Sequence, residues 1–171
     1  MATDNSEQLA DWNGVMGQQW AARQKEIDSS IAPFGEAAMQ AAAPLPGERV
    51  IDIGCGCGDT SITLAQQVGA EGAVLGVDIS APMLKVARTR AASLQLPQLE
   101  FREVDASTAD LPAPNDLLYS RFGVKFFDQP IPALAHLRQS LRPGGRLVLC
   151  AGVRRVKSRG PWRRWSLHAR P

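Results

Sequence analysis

The 171-residue sequence predicts an α/β fold built on a parallel β-sheet. Short apolar runs rich in β-branched residues alternate with longer stretches of helical spacing, the order typical of strand–helix–strand units. The first such run, residues 49–53, passes through three closely spaced glycines into a helical pattern. Because strand–helix–strand crossovers keep the strands parallel, we expect a Rossmann-like, doubly wound sheet with about five parallel strands.

The expected elements follow one another in a regular order along the chain. An N-terminal helical segment is expected over residues 1–45. Pro82 suits the first turn of a helix that includes Leu94, and Pro132 opens a helix that includes Leu141. The predicted strands lie near residues 49–53, 73–78, 99–103, 116–121 and 145–151.

Charge divides the chain into a body and a basic tail. Residues 46–152 are expected to form one sheet domain, and 44% hydrophobic with 21% charged residues is ordinary globular composition. Residues 153–171 contain seven basic and no acidic residues, whereas the chain before them contains 12 basic and 17 acidic residues. We expect the tail to be disordered, and nucleic-acid binding is not favoured because only Trp162 and Trp165 offer aromatic surface there.

Composition also argues against a membrane span and a metal site. No run approaches the roughly 18 apolar residues that cross a bilayer, and the polar start lacks signal-peptide features, so we expect a cytoplasmic location. Cys55, Cys57 and Cys150 are odd in number, and a C-x-C inside a glycine turn lacks two further ligands for zinc. We expect three reduced thiols.

The glycine-rich turn is the candidate ligand site. Gly54, Gly56 and Gly58 let main-chain N–H groups approach a ligand at the positive end of a helix. The dinucleotide fingerprint would place its third glycine at position 59, which is Asp59. Asp52, just before the turn, would repel a pyrophosphate. The turn therefore predicts a ligand other than NAD, with a cationic or neutral group nearby.

Polar residues also stand at the ends of the later strands. Asp78 ends the second strand, roughly 20 residues past the glycines, where such folds place a ribose-binding carboxylate. Capping the following helix is its alternative role. Asp105 follows the third strand, and Ser120 lies at the fourth. Because ligands bind outside the carboxyl ends of parallel strands, we expect these side chains to meet at one site.

Four motifs together resemble the class I S-adenosylmethionine-dependent methyltransferase family. They are VIDIGCGCG at 50–58, VDIS at 77–80, VDA at 104–106 and LRPGGRLVL at 141–149. SRFGVKFF at 120–127 and the segment from Trp12 to Trp20 are similar to the subgroup related to ubiquinone and menaquinone biosynthesis methyltransferases. The resemblance covers approximately residues 9–152. It implies S-adenosylmethionine as cofactor and methyl transfer to a small-molecule acceptor.

The resemblance also implies which residues bind the cofactor. Asp52 would bind near the ammonium group of the methionine part or order the loop, and Asp78 would accept hydrogen bonds from both ribose hydroxyls. Ile79 and Met83 would pack against adenine, with plain core packing as the alternative for Met83. The full set is Asp52, Gly54, Cys55, Gly56, Gly58, Asp78, Ile79, Met83, Asp105, Ala106, Ser120 and Arg121.

The remaining members of that set have roles nearer the adenine edge and the reacting centre. The Asp105 side chain and the Ala106 N–H would address adenine, with a solvated turn as the alternative for Asp105. Ser120 and Arg121 would face the reacting sulfonium, unless Arg121 forms a surface ion pair. The implied reaction is displacement of the methyl group by an oxygen, nitrogen or carbon nucleophile.

No catalytic residue is predicted. His136 has apolar neighbours and is expected to be structural, and the acidic residues at the strand ends are assigned to the cofactor. Trp12 and Trp20 lie eight residues apart, two turns of one helix, and would close over the cofactor as a lid or pack against the sheet.

The strand pattern ends earlier than in a complete class I methyltransferase, which has seven strands. We expect a chain truncated at the C-terminus, without the last two strands, that self-associates through an exposed apolar sheet edge. The alternative function is a non-catalytic remnant or an interaction protein. One hypothesis explains the basic tail as the product of a shifted reading frame.

Overall fold

The fold is a five-stranded parallel sheet with helices on both faces, seen in a computed structural model that describes residues 5–151. Its strands are β1 (Arg49–Ile53), β2 (Ala73–Asp78), β3 (Leu99–Glu103), β4 (Asn115–Arg121) and β5 (Leu141–Cys150). Its helices are α1 (Ser6–Asn13), α2 (Val15–Ala22), α3 (Gln24–Ala42), α4 (Asp59–Val68), α5 (Ala81–Ser93) and α6 (Pro130–Arg138), with a 3₁₀ turn at Gly123–Phe126. The strand order is β3-β2-β1-β4-β5, and all neighbours are parallel. The predicted fold class is confirmed, whereas the predicted tail, residues 153–171, lies outside the described residues.

Two apolar layers, one on each face of the sheet, form the core. Neighbouring residues of β1 alternate between them, because side chains of a strand point to opposite faces. Val50 packs in the layer with Leu64 of α4, and Ile51 packs in the layer with Leu137 of α6. Each of these side chains is at most 1% exposed, and burying one contributes roughly 1.5–3 kcal/mol. Apolar packing on both faces therefore stabilises the sheet and fixes the position of the carboxyl ends of its strands.

The N-terminal residues form three helices that pack on the sheet domain. α2 contacts α5, and α3 contacts β4 and β5. Ala38, Met39 and Ala42 of α3 belong to the same apolar layer as Val50. These helices thus share a core with the sheet although they precede it in the chain. Among residues 5–151, no helix combines the length and apolar character needed to cross a membrane.

The later helix boundaries differ from the sequence prediction. α6 begins at Pro130 rather than Pro132 and ends at Arg138, so Leu141 is not helical. Instead Leu141 pairs with Asn115 and begins β5, which therefore starts before residue 145. Leu94 caps α5 and is 48% exposed, so it was wrongly placed within that helix. The leucine spacing predicted a helix at both positions. Strand pairing places Leu141 in β5 instead, and α5 ends just before Leu94.

Within the described residues, β5 is an edge of the sheet. Leu147 on this strand is 40% exposed. The strand is tied back by Arg146, which donates hydrogen bonds of 2.7 and 2.6 Å to the two carboxylate oxygens of Glu48. A bidentate pair of this kind fixes orientation as well as position. Self-association through this edge stays a prediction.

Candidate functional site

A cleft of about 1070 Å³, its open mouth included, lies where β1, β2 and β4 end beneath the N-terminal helices. Most of the predicted cofactor residues line it, namely Gly54, Cys55, Gly56, Asp78, Ile79, Met83, Asp105, Ala106 and Arg121. The other three, Asp52, Gly58 and Ser120, lie behind its walls. The convergence of the strand ends therefore brings the motifs together as expected from a parallel sheet.

Asp78 holds the glycine loop against the end of β2. Its Oδ2 accepts a hydrogen bond of 2.8 Å from the Gly56 N–H, and its Oδ1 accepts one of 2.8 Å from the Ser80 N–H. The Gly54 and Cys55 N–H groups donate to the carbonyl of Val77 at 2.8 and 3.1 Å. Burial raises the pKa of Asp78, although the backbone donors oppose that rise. The Ser80 contact closes the turn before α5, but the N-cap of that helix is Ser80 rather than Asp78, so the helix-capping alternative was wrong.

The first glycine of the loop is required by a close backbone approach. Gly54 has φ of +70°, a left-handed conformation that disfavours any residue with a Cβ. A Cβ placed there would lie 2.5 Å from the Cα of Gly123, at the start of the 3₁₀ turn after β4. Gly54 therefore lets β1 and β4 bring their loops together at the floor of the cleft.

Asp52 does not face the cleft, which corrects its predicted position beside a bound ligand. Its carboxylate is fully buried, and its Oδ2 accepts hydrogen bonds of 2.6 Å from Thr60 Oγ1 and 2.6 Å from Ser61 Oγ. The side chain thus ties the end of β1 to the first turn of α4, consistent with the loop-ordering alternative. From this position its carboxylate makes no direct contact with the cleft, and its repulsion of a pyrophosphate stays a prediction.

Burial makes Asp52 a source of pH-dependent stability. Desolvation raises its pKa from 3.8 to about 6, against the hydrogen bonds from Ser61 and Thr60 and the charge of Arg121. Between these pH values the folded protein binds more protons at Asp52 than the unfolded chain, so this group makes stability fall as pH rises.

We expect the Asp52→Asn variant to lose this fall in stability. Relative to the variant, the unchanged protein should lose roughly 2.4 kcal/mol of unfolding free energy between about pH 4 and about pH 7. Urea unfolding of both proteins at the two pH values measures the difference. The asparagine retains an oxygen that can accept from Thr60 and Ser61, so packing is matched. Parallel pH profiles for the two proteins would contradict the prediction.

Gly58 and Ser120 support the cleft from behind. Gly58 precedes α4 with φ of +81°, and a Cβ there would lie 2.9 Å from Ala87 Cβ and 3.0 Å from the ring of Phe101. Ser120 Oγ donates a hydrogen bond of 2.7 Å to the carbonyl of Ile53, which joins β4 to β1. Ser120 and Arg121 are the last two residues of β4, within the predicted strand.

Asp105 accepts hydrogen bonds from Asn5, the first described residue, and from Ser107. Its Oδ2 accepts a hydrogen bond of 2.7 Å from Asn5 Nδ2, and its Oδ1 accepts from the N–H and Oγ of Ser107 at 2.9 and 2.7 Å. The Ser107 contacts form the turn that the sequence offered as an alternative. Asn5 lines the cleft beside Asp105 and was not predicted from the sequence.

An aromatic cluster covers part of the cleft. The Trp12 ring makes edge-to-face contacts with Trp20 at 5.6 Å and with Phe126 at 5.1 Å. The assumption of one continuous helix was wrong, because Gly14 separates α1 from α2. Ser80 Oγ donates to the Trp12 carbonyl at 2.7 Å and fixes this corner to α5. All three rings line the cleft, and closure of Trp12 and Trp20 over a bound cofactor stays a prediction.

Arg121 belongs to a partly buried charge cluster rather than to a surface ion pair. Its side chain is 9% exposed and lies 3.0 Å from Asp59 and 3.8 Å from Asp28. Arg90 contacts the same two carboxylates at 3.3 and 3.1 Å. Two arginines and two aspartates thus neutralise one another and join α3, α4, α5 and β4. Asp28 and Arg90 had no motif around them that could have indicated this role.

His136 is structural, as the sequence predicted. Its Nε2 lies 2.8 Å from the carbonyl oxygen of Ala109, within a partly buried contact on the far face of the sheet. Lys125 and Phe126 line the cleft and were not predicted as site residues, although both lie in the SRFGVKFF motif.

Comparison with known proteins finds a family and many relatives. A family model described as "Methyltransferase domain" matches residues 50–145. The chain is 36% identical over 127 residues to aklanonic acid methyltransferase DauC of Streptomyces sp. (strain C5), covering 74% of this chain and 58% of the relative. It is 35% identical over 105 residues to demethylmenaquinone methyltransferase of Oceanobacillus iheyensis, covering 60% of this chain and 43% of the relative. The chain thus spans about half the length of these curated relatives.

Solved structures support the fold. A SAM-dependent methyltransferase from Aquifex aeolicus superposes with a TM-score of 0.69 at 21% identity, covering 82% of this chain and 77% of that one. A putative S-adenosyl-L-methionine-dependent methyltransferase from Methanococcus maripaludis has a TM-score of 0.67 at 25% identity, covering 79% of this chain and 64% of that one. The parallel sheet and its connections therefore match an arrangement already seen by crystallography.

Proposed function

This chain belongs to the methyltransferase domain family, and we propose that it transfers a methyl group from S-adenosylmethionine to a small-molecule acceptor. One observation carries the proposal beyond family membership. The Asp78 carboxylate lines a cleft directly beside the Gly56 backbone, at the carboxyl ends of β1 and β2. A carboxylate beside a glycine turn, in a cleft at the carboxyl ends of parallel strands, suits a ligand with vicinal hydroxyls.

The residues present fit that cofactor. The Asp78 carboxylate accepts hydrogen bonds from the Gly56 and Ser80 N–H groups, and a carboxylate has further lone pairs that could accept from a ribose hydroxyl. Ile79 and Met83 present apolar surface to the cleft on one side of Asp78, and Ala106 does so beside Asp105. We propose that these residues bind adenine between them. Met83 also packs with Trp12 and Cys57, so core packing and adenine contact coexist there.

The chain's own contribution to the reaction would be positioning and exclusion of water. When bound, the cofactor supplies the activated methyl group on its sulfonium. Trp12, Trp20 and Phe126 cover the cleft and would keep water from the reacting atoms. Holding donor and acceptor in line can supply as much as roughly 7–11 kcal/mol of the barrier reduction in favourable cases. We assign no catalytic base.

The acceptor belongs to the same proposal. Relatives are named for aklanonic acid and demethylmenaquinone, and the aromatic walls of this cleft suit conjugated ring compounds of that kind. No comparison favours the alternative of a non-catalytic remnant. The cytoplasmic location and the absence of nucleic-acid binding stay predictions.

Formation of S-adenosylhomocysteine tests the function. We expect the purified chain to produce it from S-adenosylmethionine when offered demethylmenaquinol or aklanonic acid, above the level without acceptor. Mass spectrometry would identify the methylated acceptor. If the folded chain binds S-adenosylmethionine but methylates neither compound, this acceptor class is wrong. If it does not bind S-adenosylmethionine at all, the proposed function is wrong.

A further inference from the structure

Lys125 is held at the wall of the cleft by aromatic rings. Its Nζ lies 4.7 Å from the centre of the Phe126 ring and 5.3 Å from the centre of the Phe122 ring. Ring faces attract an ammonium group through their quadrupole, and this attraction orients the group. The rings carry no net charge, so the positive charge of Lys125 is positioned without being neutralised.

Lys125 differs from Arg121, the other basic residue that lines the cleft, in having no carboxylate partner among the described residues. Arg121 is paired with Asp59 and Asp28, as described above. Asp78 and Asp105 accept hydrogen bonds from N–H donors, and neither lies in an ion pair with Lys125. Among residues 5–151, the Lys125 ammonium has no carboxylate within ion-pair distance. The wall after β4 therefore presents an uncompensated cation to the cleft.

A strained backbone supports this arrangement. Phe122 has φ of +67°, which is unusual for a bulky residue and carries a conformational cost. It is retained by a hydrogen bond of 2.7 Å from its N–H to the carbonyl of Cys150 and by an edge-to-face contact with Phe34 at 5.6 Å. The strained turn places the Phe122 ring under the Lys125 ammonium. Strain at such a position is a reason to look for function there.

We propose that Lys125 selects acceptors that carry an anionic oxygen on a planar, apolar body. The planar body suits the walls formed by Phe122, Phe126 and Trp12, and the oxygen suits the ammonium held above two of those rings. The inference rests on the proposed function, since it names the acceptor class of the same cleft. It makes Lys125 a specificity-determining residue.

Binding of matched probes tests this assignment. In the presence of S-adenosylhomocysteine, calorimetry would compare 2-naphthoate with neutral 2-naphthamide, and 4-nitrophenolate with neutral nitrobenzene. We expect at least one anion to bind roughly tenfold more tightly than its neutral partner, as a charge-assisted hydrogen bond provides. The carboxylate and phenolate pairs show which anionic oxygen is preferred. Lys125→Met should abolish the preference, Lys125→Arg should keep it, and Lys85→Met on the exposed face of α5 is the matched control.

The outcomes separate this inference from the proposed function. Titration with S-adenosylmethionine alone tests the function, and Lys125→Met should leave that affinity within about twofold, since no cofactor contact is assigned to it. Equal binding of anions and neutral partners would overturn the acceptor assignment. So would a preference that survives Lys125→Met. A large loss of S-adenosylmethionine affinity in Lys125→Met would also overturn it, because the residue would then bind the cofactor.

Discussion

Replacing Asp78 by alanine is expected to lower the affinity for S-adenosylmethionine at least about 100-fold. The carboxylate is proposed to accept two hydrogen bonds from the ribose, and each hydrogen bond to a charged group contributes roughly 1.5–3 kcal/mol. Alanine also removes the acceptor of the Gly56 N–H, which leaves the glycine loop less ordered. Isothermal titration calorimetry of the purified chain measures the change directly.

Two further variants separate charge from loop order. Asp78→Asn keeps one oxygen acceptor and nearly the same shape, so we expect it to bind more tightly than Asp78→Ala and less tightly than the unchanged protein. Asp110→Ala removes an exposed aspartate that does not line the cleft and should bind normally. Thermal unfolding checks that each variant is folded. Unaltered binding by folded Asp78→Ala would refute the ribose assignment.

Gly54→Ala is expected to destabilise the fold by about 2–5 kcal/mol and to remove cofactor binding with it. The left-handed backbone conformation costs a residue with a Cβ about 1–2 kcal/mol, and overpacking against a rigid neighbour adds about 1–3 kcal/mol. The neighbour is the backbone of Gly123, 2.5 Å from the new Cβ, which no side-chain rotation can move away. Urea unfolding measures the loss of stability.

Gly47→Ala is the matched control for the backbone strain. Gly47 also has a positive φ, +84°, but a Cβ there would meet no atom within 4 Å. The Gly47→Ala variant should therefore lose only the stability that the left-handed backbone conformation costs, about 1–2 kcal/mol. If both variants lose the same stability, the close approach of the β1 and β4 loops does not matter energetically, and our account of Gly54 is wrong.

Most of the sheet could be predicted from the sequence because its signals are local. The strands β1, β2 and β3 match the predicted bounds, and in β1 and β2 the signal is a buried run with β-branched residues that ends at a glycine or an acidic residue. The boundary of β5 could not be predicted in the same way. Leu141 has the spacing of a helical residue, and only its pairing with Asn115 on β4 makes it part of a strand.

Some features of the candidate site could likewise be predicted from the sequence, and others could not. That Asp78 and Asp105 would meet the glycine loop follows from strand order and polarity, because parallel strands put their carboxyl ends at one edge. The sequence could not indicate that Asp52 turns towards Thr60 and Ser61, since that depends on how α4 packs. It also could not show that Asp59 and Asp28 neutralise Arg121.

The sequence by itself therefore determined the fold class, the family and the motifs that meet at the cleft. Periodicity, glycine positions and strand-end carboxylates act over a few residues, so they can be read without knowing the rest of the chain. Only the tertiary structure decided which charges remain uncompensated. Arg121 and Lys125 are close in sequence, yet one is paired by residues 62 and 93 positions away and the other lies above aromatic rings. Electrostatic interactions depend on distance in space, and that distance is set by packing.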